Sequence, residues 1–186
     1  MRYSAIARML PRHFRRLLRD QRGISAVEFA MLLPLMITLY LGSVEISQGI
    51  SINRKVTLTA RTVTDLVAQV STINNASMTN VLNASAAVMT PFSVSPLKVT
   101  VSLVSINAQS AATITWSDGY NIMGKVPGSA VTLPPALVIA NTSLVWGEVQ
   151  YNYAPAMGYV VTSNLTLKDQ LYMRPRLSTT ITRTAN

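Results

Sequence analysis

The chain contains no cysteine among its 186 residues, which excludes disulfides, thiolate metal sites and cysteine nucleophiles. Acidic residues are also scarce, because the sequence has only seven, and the five that follow residue 44 are widely separated. The single histidine, His13, lies in an arginine-rich arm. No acid or histidine pair recurs at metal-ligand spacing, and no glycine-rich phosphate loop is present. The sequence therefore predicts no catalytic site, no metal and no cofactor, and we do not expect an enzyme.

The few charges are unevenly placed. Charged residues make up 12% of the sequence, against about 25% in a typical soluble domain. Seven arginines and Asp20 precede Ile24, so this arm carries +6 of the formal net charge of +9. Basic residues beside one end of a membrane helix indicate a cytoplasmic flank, and they are attracted to anionic membrane lipid. Without a recognised binding motif, the charge does not indicate nucleic-acid binding.

The arm itself, residues 1–22, has apolar residues at helical spacing. That spacing predicts a helix lying along the inner membrane surface. A leader without a fixed shape fits the same composition equally well.

An apolar run of 21 residues, 24–44, follows the arm. At 1.5 Å per residue it is long enough to cross a hydrocarbon core of about 30 Å, and membrane helices tolerate a proline such as Pro34. A cleaved secretory signal has a shorter apolar region that ends in a small-x-small site, and Gly42-Ser43 is not a typical one. The run therefore predicts a membrane anchor. Glu28 is the unusual residue, because an acid inside a membrane helix indicates a function.

Beyond the membrane, residues 45–71 contain no proline, and the helix is predicted to continue. Its β-branched residues have poor helix propensity, so packing against another element must stabilise it. A second helix is predicted over residues 75–89, ending before Thr90-Pro91. The stripe predicted to face the protein consists of Ile46, Ile50, Asn53, Val56, Thr57, Ala60, Val63, Thr64, Val67 and Val70.

From Pro96 onward the apolar period changes to two, which predicts strands. The first begins at Leu97, and the second carries Ile114 and Trp116 on one face and ends in a turn at 116–119. A third covers 144–153, and a last strand covers 171–182 after a short helical segment beyond Pro155. Residues 120–141 are predicted to be an irregular, exposed connection. Asp118 is assigned to the turn, and Glu148 is expected to face solvent or Arg174 and Arg176.

The fold class is therefore α+β: a single N-terminal transmembrane helix extended into a long amphipathic helix, followed by a small antiparallel sheet of about four strands. The expected regions are a basic leader (1–23), a transmembrane helix (24–44), an extracytoplasmic helical region (45–95) and a sheet domain (96–186).

The segment from Arg22 to Pro34, with Gly23 four residues before Glu28-Phe29 and an early Leu-Pro, resembles the TadE-like pseudopilins of tight-adherence (Flp-type) pilus systems. The resemblance implies that a membrane prepilin peptidase cuts between Gly23 and Ile24. Glu28 would then be fifth and Phe29 sixth in the mature chain, and both would act in assembly. TadG-like proteins share this N-terminal block, but the size of this chain fits the TadE-like kind.

The function implied by the resemblance is that of a minor pilin that primes or caps a Flp/Tad-type adhesive pilus. Its partners would be the prepilin peptidase, other pilins and pseudopilins, the inner-membrane assembly platform and membrane lipid. The protein would be a single-pass protein of the bacterial inner membrane with its N-terminus in the cytoplasm and its sheet domain in the periplasm. The alternative is an uncleaved envelope anchor that displays a periplasmic protein-binding domain.

Overall fold

The structure is a computed structural model that describes residues 22–155, 158 and 163–185, without the side chain of Arg22. The basic arm, His13 and most of the helical segment predicted after Pro155 lie outside the described residues. The elements in chain order are α1 (Arg22–Ala68), β1 (Thr72–Ile73), α2 (Asn75–Ala87), β2 (Leu97–Ile106), β3 (Ala112–Tyr120), a 3₁₀ turn (Pro135–Leu137), β4 (Thr142–Tyr153), β5 (Leu165–Met173) and β6 (Thr182–Arg183). The chain divides into two compact units, Met1–Val44 and Glu45–Asn186.

The described part of the first unit is one stretch of α1. It passes through Pro34 without ending, although a proline removes one helical hydrogen bond. The hydroxyl of Thr38 donates to the carbonyl oxygen of Pro34 at 2.8 Å, and that of Ser43 donates to the carbonyl oxygen of Tyr40 at 2.7 Å. Both hydroxyl groups are therefore hydrogen-bonded within the helix and need no partner outside it.

In the second unit, α1 lies against a four-stranded antiparallel sheet of order β3-β2-β4-β5. The predicted α+β class, with a long N-terminal helix before a small antiparallel sheet, is confirmed. At Gly147 in β4 the helix comes close to the sheet, because a Cβ there would overlap the hydroxyl of Thr64 and lie 3.2 Å from Val63. The helix residues in this core are small or β-branched, and they pack on the apolar face of β2 and β4: Ile52, Val56, Ala60, Val63, Val67, Val99, Val101, Leu103, Val145 and Val149.

Part of the predicted helix stripe is wrong. Ile46 and Ile50 are each 51% exposed, and Asn53 and Thr57 are also exposed. The buried face instead includes Ile52 and Thr59. Five members of the predicted stripe are buried as expected: Val56, Ala60, Val63, Thr64 and Val67. Periodicity therefore identified most of the buried face from Val56 to Val67, but it failed over residues 46–53, where apolar residues also lie on the exposed side.

The sheet has a buried cluster on each face, and a β-bulge decides which face the residues of β3 join. The register between β2 and β3 shifts between Leu103 and Val104, and a bulge turns the residues after it to the other face. Trp116 consequently joins the helix side, whereas Ile114 joins a second cluster on the opposite face. The prediction that Ile114 and Trp116 share a face was therefore wrong.

Residues 121–141 are an irregular connection, as predicted, but they also cover part of the sheet. Leu133 is buried in the second cluster, and the amide of Ile114 donates to the carbonyl oxygen of Ser129 at 3.0 Å. This contact occupies part of the outer edge of β3. Exposed sheet edges favour unwanted pairing, so the connection protects one edge of the sheet.

The C-terminal region differs most from the predictions. The last predicted strand, 171–182, is wrong, because β5 ends at Met173 and the short β6 pairs in parallel with β1. Asp118 lies inside β3 rather than in a turn, and it accepts from Arg183 Nε at 2.9 Å and from Nη2 at 3.0 Å. Hydrogen bonding to Asp118 raises the pKa of Arg183, partly offset by burial. This two-point ion pair ties β6 to the sheet.

Candidate processing and assembly segment

The four residues singled out in the sequence lie in the first two turns of α1. Gly23 is the second residue of the helix, and a Cβ built on it would meet no atom within 4 Å. Ile24 and Phe29 are each 57% exposed. The backbone around Gly23 and Ile24 is therefore sterically open.

Helix geometry brings Ile24 and Glu28 to one face, because residues four apart are neighbours on a helix surface. Phe29 lies about 100° further round the helix. Leu32, one turn beyond Glu28, is 55% exposed. Glu28 is thus an acid with apolar neighbours on both sides along its own face.

The surface around Glu28 is largely apolar, with Ser25 as the one polar side chain within a turn of it. All residues from 23 to 40 are exposed, and Glu28 is the only charged residue among them. The helix Gly23–Ala68 contains a stretch with a mean hydropathy of 1.9 and none of it buried, which is long and apolar enough to cross a membrane. A helix that is apolar all round requires a nonpolar environment, so this stretch fits a single-pass membrane anchor.

A second group of polar residues, missed by the sequence analysis, lies on the sheet face opposite α1. Lys125, from the 121–141 connection, lies 2.9 Å from Glu148 Oε2 and 4.2 Å above the ring of Trp146. Trp146 stacks on Tyr172 with ring centroids 5.5 Å apart. Burial raises the pKa of Tyr172, and the charge of Glu148 adds to the rise. The expectation that Glu148 faces solvent or Arg174 and Arg176 was therefore wrong.

Lys125 and Glu148 border a cavity of about 520 Å³ over β2, β4 and β5. The sequence did contain one signal of a polar sheet face at this cavity. Polar residues occupy alternate positions in these strands, as Lys98 does between two buried residues. Their meeting could not be predicted, because it depends on the register between distant strands. Within the residues that the structure describes, no group of three or more His, Asp or Glu side chains could hold a metal ion.

Comparison with known proteins bears on the N-terminal segment. The family model described as TadE-like protein matches residues 23–65, a stretch that includes the apolar helix and part of its continuation. No curated protein and no solved structure matches the chain. The resemblance carried by Gly23, Glu28 and Phe29 is thus confirmed, and over residues 23–65 this chain is similar to the TadE-like proteins of the Tad pilus.

Proposed function

We propose that this protein is a minor pilin or pseudopilin that a prepilin peptidase cuts between Gly23 and Ile24, and that then primes or caps a Flp/Tad-type adhesive pilus. Other pilins, the inner-membrane assembly platform and membrane lipid would be its partners. The observation that carries the proposal is one acid, Glu28, on an apolar stretch of helix whose residues 23–40 are all exposed, five residues beyond an unobstructed glycine.

The proposed arrangement has four regions. The leader, 1–23, stays in the cytoplasm, and residues 24–44 cross the bacterial inner membrane once. The helical region, 45–95, and the sheet domain, 96–186, lie in the periplasm. The +6 charge of the residues before Ile24 supports this orientation, because positive flanks remain on the cytoplasmic side.

Gly23 suits a cleavage site because a peptidase must draw the backbone out of the helix into an extended form. Glycine adopts both conformations readily and offers no side chain to obstruct the approach. Removal of the arm would release six net positive charges from the helix, and with them its attraction to the cytoplasmic surface.

Cleavage would also create a positive amine at Ile24, at the end of a helix whose dipole disfavours positive charge. A carboxylate stabilises such an amine when the two lie within a few ångströms. We assign that role to Glu28, paired with the amine of an adjacent subunit. In lipid an unpaired acid costs about 2.5–3.5 kcal/mol on insertion scales, so pairing would favour the correct axial position of neighbouring subunits.

The first test is mass spectrometry of the N-terminus of protein recovered from membranes. Wild type should begin at Ile24, and Gly23→Ala should remain largely uncut. Because alanine at Gly23 meets no neighbouring atom, the variant should fold normally, and its defect would be one of recognition. Gly49→Ala is the matched control, since its Cβ would make only an ordinary 3.7 Å contact with Tyr153. An intact chain in the membrane of pilus-forming wild-type cells would support the uncleaved anchor instead.

The second test concerns Glu28. Glu28→Ala and Glu28→Gln should both insert and be cut, but neither should co-purify with pilus components, because both lack the negative charge. Met31→Ala, at a neighbouring position that is 77% exposed, should co-purify normally. Normal co-purification of both Glu28 variants would contradict the assembly role, and rescue by glutamine alone would show that hydrogen bonding rather than charge is required.

A further inference from the structure

Two lysines lie in one row across the sheet face opposite α1. Lys98 in β2 is the register partner of Gln150 in β4, and Gln150 is the register partner of Lys168 in β5. Adjacent strands are about 4.8 Å apart, so the two lysine backbones are separated by about 10 Å. Both side chains line the 520 Å³ cavity. Among the described residues, neither lysine has an ion-pair or hydrogen-bond partner.

The two acids at this cavity already have other partners. Glu148 is held at 2.9 Å by Lys125. The oxygens of Asp169 accept from the hydroxyl of Thr57, on α1, and from the backbone amide of Gln170. The positive charges of Lys98 and Lys168 are therefore not neutralised from within the cavity.

Neutral groups of the cavity add hydrogen-bond donors. The Oε1 atom of Gln170 accepts from Trp146 Nε1 at 3.2 Å, which leaves the amide nitrogen of Gln170 available to donate. The hydroxyl of Thr100, in the row next to Lys98, also borders the cavity. A cavity lined by ammonium, amide and hydroxyl donors favours a ligand that carries acceptors and negative charge.

One wall of the cavity is apolar and fixed in place. Asn121, in the left-handed backbone conformation with φ of 53°, donates from its side chain to the carbonyl oxygen of Leu97 at 2.9 Å. At the other end, the Lys125 amide donates to Ser117 Oγ at 2.9 Å. Between these anchors Met123 projects with 91% of its surface exposed. Flexible methionine side chains are common on surfaces that bind peptides.

We propose that this cavity binds an acidic peptide segment of a partner protein, with two carboxylates on Lys98 and Lys168 and an apolar side chain against Met123. A peptide in the polyproline II form has three residues per turn and advances about 3.1 Å per residue, so acids three positions apart lie on the same side of the peptide and about 9 Å apart. That spacing is close to the separation of about 10 Å between the two lysine backbones. A volume near 520 Å³ accommodates a segment of a few residues, within the usual size of ligand sites. The inference goes beyond the proposed function and does not depend on cleavage at Gly23.

The test uses the full chain in uncharged detergent micelles and a capped, fluorescently labelled Glu-Leu-Ser-Glu-Leu peptide, with binding followed by fluorescence anisotropy. The glutamine version, Gln-Leu-Ser-Gln-Leu, should bind about three- to thirtyfold more weakly, because two partly exposed charge contacts are lost. Raising the salt from about 0.05 to 0.3 M should weaken binding of the acidic peptide severalfold, because the contacts are partly exposed.

The variant Lys98→Gln with Lys168→Gln should raise the Kd of the acidic peptide about three- to thirtyfold. The matched control is Arg54→Gln with Arg61→Gln, which removes the same charge from exposed positions on α1 and should leave the Kd within about twofold. If both double variants lose the same amount of affinity, the net charge of the protein explains the binding, and the proposal is overturned. Competition by water-soluble short-chain phosphatidylglycerol at lower concentrations than unlabelled peptide would also overturn it, in favour of a lipid headgroup.

Discussion

Residues 24–40 of helix α1 expose leucine, isoleucine, methionine and phenylalanine on every side, whereas residues 45–68 of the same helix bury one face against a sheet and expose the other. The first stretch contains larger apolar side chains, yet it buries none of them within the chain. The second buries mainly Val, Ala and Thr. Apolar content alone therefore does not decide which part of a helix belongs to a protein core.

The difference lies in side-chain size and shape. Small and β-branched residues let the second stretch approach the sheet closely, as at Gly147. Their low helix propensity is offset by packing, and the buried hydroxyl of Thr64 donates to the carbonyl oxygen of Ala60 at 2.7 Å. Long, flexible side chains in the first stretch suit lipid or neighbouring helices. The type of side chain along α1 therefore determines which part of the helix packs on the sheet and which part stays exposed.

The largest effect is expected when two apolar residues in either stretch of α1 are replaced by aspartate, because membrane insertion should fail for one stretch and not for the other. Leu35→Asp with Leu39→Asp places two charges on exposed apolar positions and should cost about 5–7 kcal/mol of membrane insertion. Ile46→Asp with Ile50→Asp has the same spacing and similar exposure, but should be tolerated in water. Alkaline carbonate extraction should release the first variant and leave the second in the membrane. Equal extraction of both would erase the proposed boundary between the stretches.

A smaller effect is expected from adding one methyl group at a glycine. Gly147→Ala should destabilise the sheet domain by about 1–3 kcal/mol, because the new Cβ overlaps the hydroxyl of Thr64 and overpacking strains a core. Gly23→Ala, at an open position, should not change stability. Urea unfolding of the full chain in detergent, followed by tryptophan fluorescence, measures both, since Trp116 and Trp146 lie in the sheet.

The Gly147 interpretation has its own internal control. Thr64→Ala removes the overlapping oxygen, so the double variant with Gly147→Ala should be less destabilised than the sum of the single variants. Strict additivity would mean that the helix is not in contact with the sheet at this point.

Features set by short-range pattern were predictable from the sequence. The apolar run, the Gly23–Glu28 spacing and the strand at 144–153 each follow from a local rule of composition or period, and the α+β class follows from their order. The second helix was placed within two residues of its observed end. These elements need no knowledge of the residues that lie beside them.

Features set by distant partners were not predictable. Arg183 and Asp118 are 65 positions apart, and nothing local in either segment indicates that they meet. The separation of Ile114 from Trp116 required knowing that a bulge interrupts the ladder. The row of Lys98, Gln150 and Lys168 depends on the register of three strands. Such contacts are consequences of the assembled sheet, and the cavity could not be found without it.

The smallest expected effect is a pH response confined to the sheet domain. Burial raises the pKa values of Tyr151 and Tyr153, with further contributions from Tyr153 and from Glu45, respectively. A raised pKa in the folded state means that the unfolded state loses its proton first as pH rises. The contribution of these tyrosines to stability is therefore fully present below about pH 10, the ordinary tyrosine pKa, and is lost above it.

Urea unfolding at pH 9 and pH 11 of wild type and of Tyr151→Phe with Tyr153→Phe measures this contribution. The stability of wild type relative to the variant should fall with pH, by at most about 1.4 kcal/mol per pH unit for each tyrosine. Because lysine titration is common to both proteins, it cancels in the difference. Tyrosine absorbance near 295 nm should rise at a higher pH in the folded than in the unfolded wild type, since the phenols are buried against the helix side of the sheet. If the difference in stability between wild type and variant is the same at both pH values, these phenols are open to solvent. The second stretch of α1 would then not bury this face of the sheet, and the contrast between the two stretches would be lost.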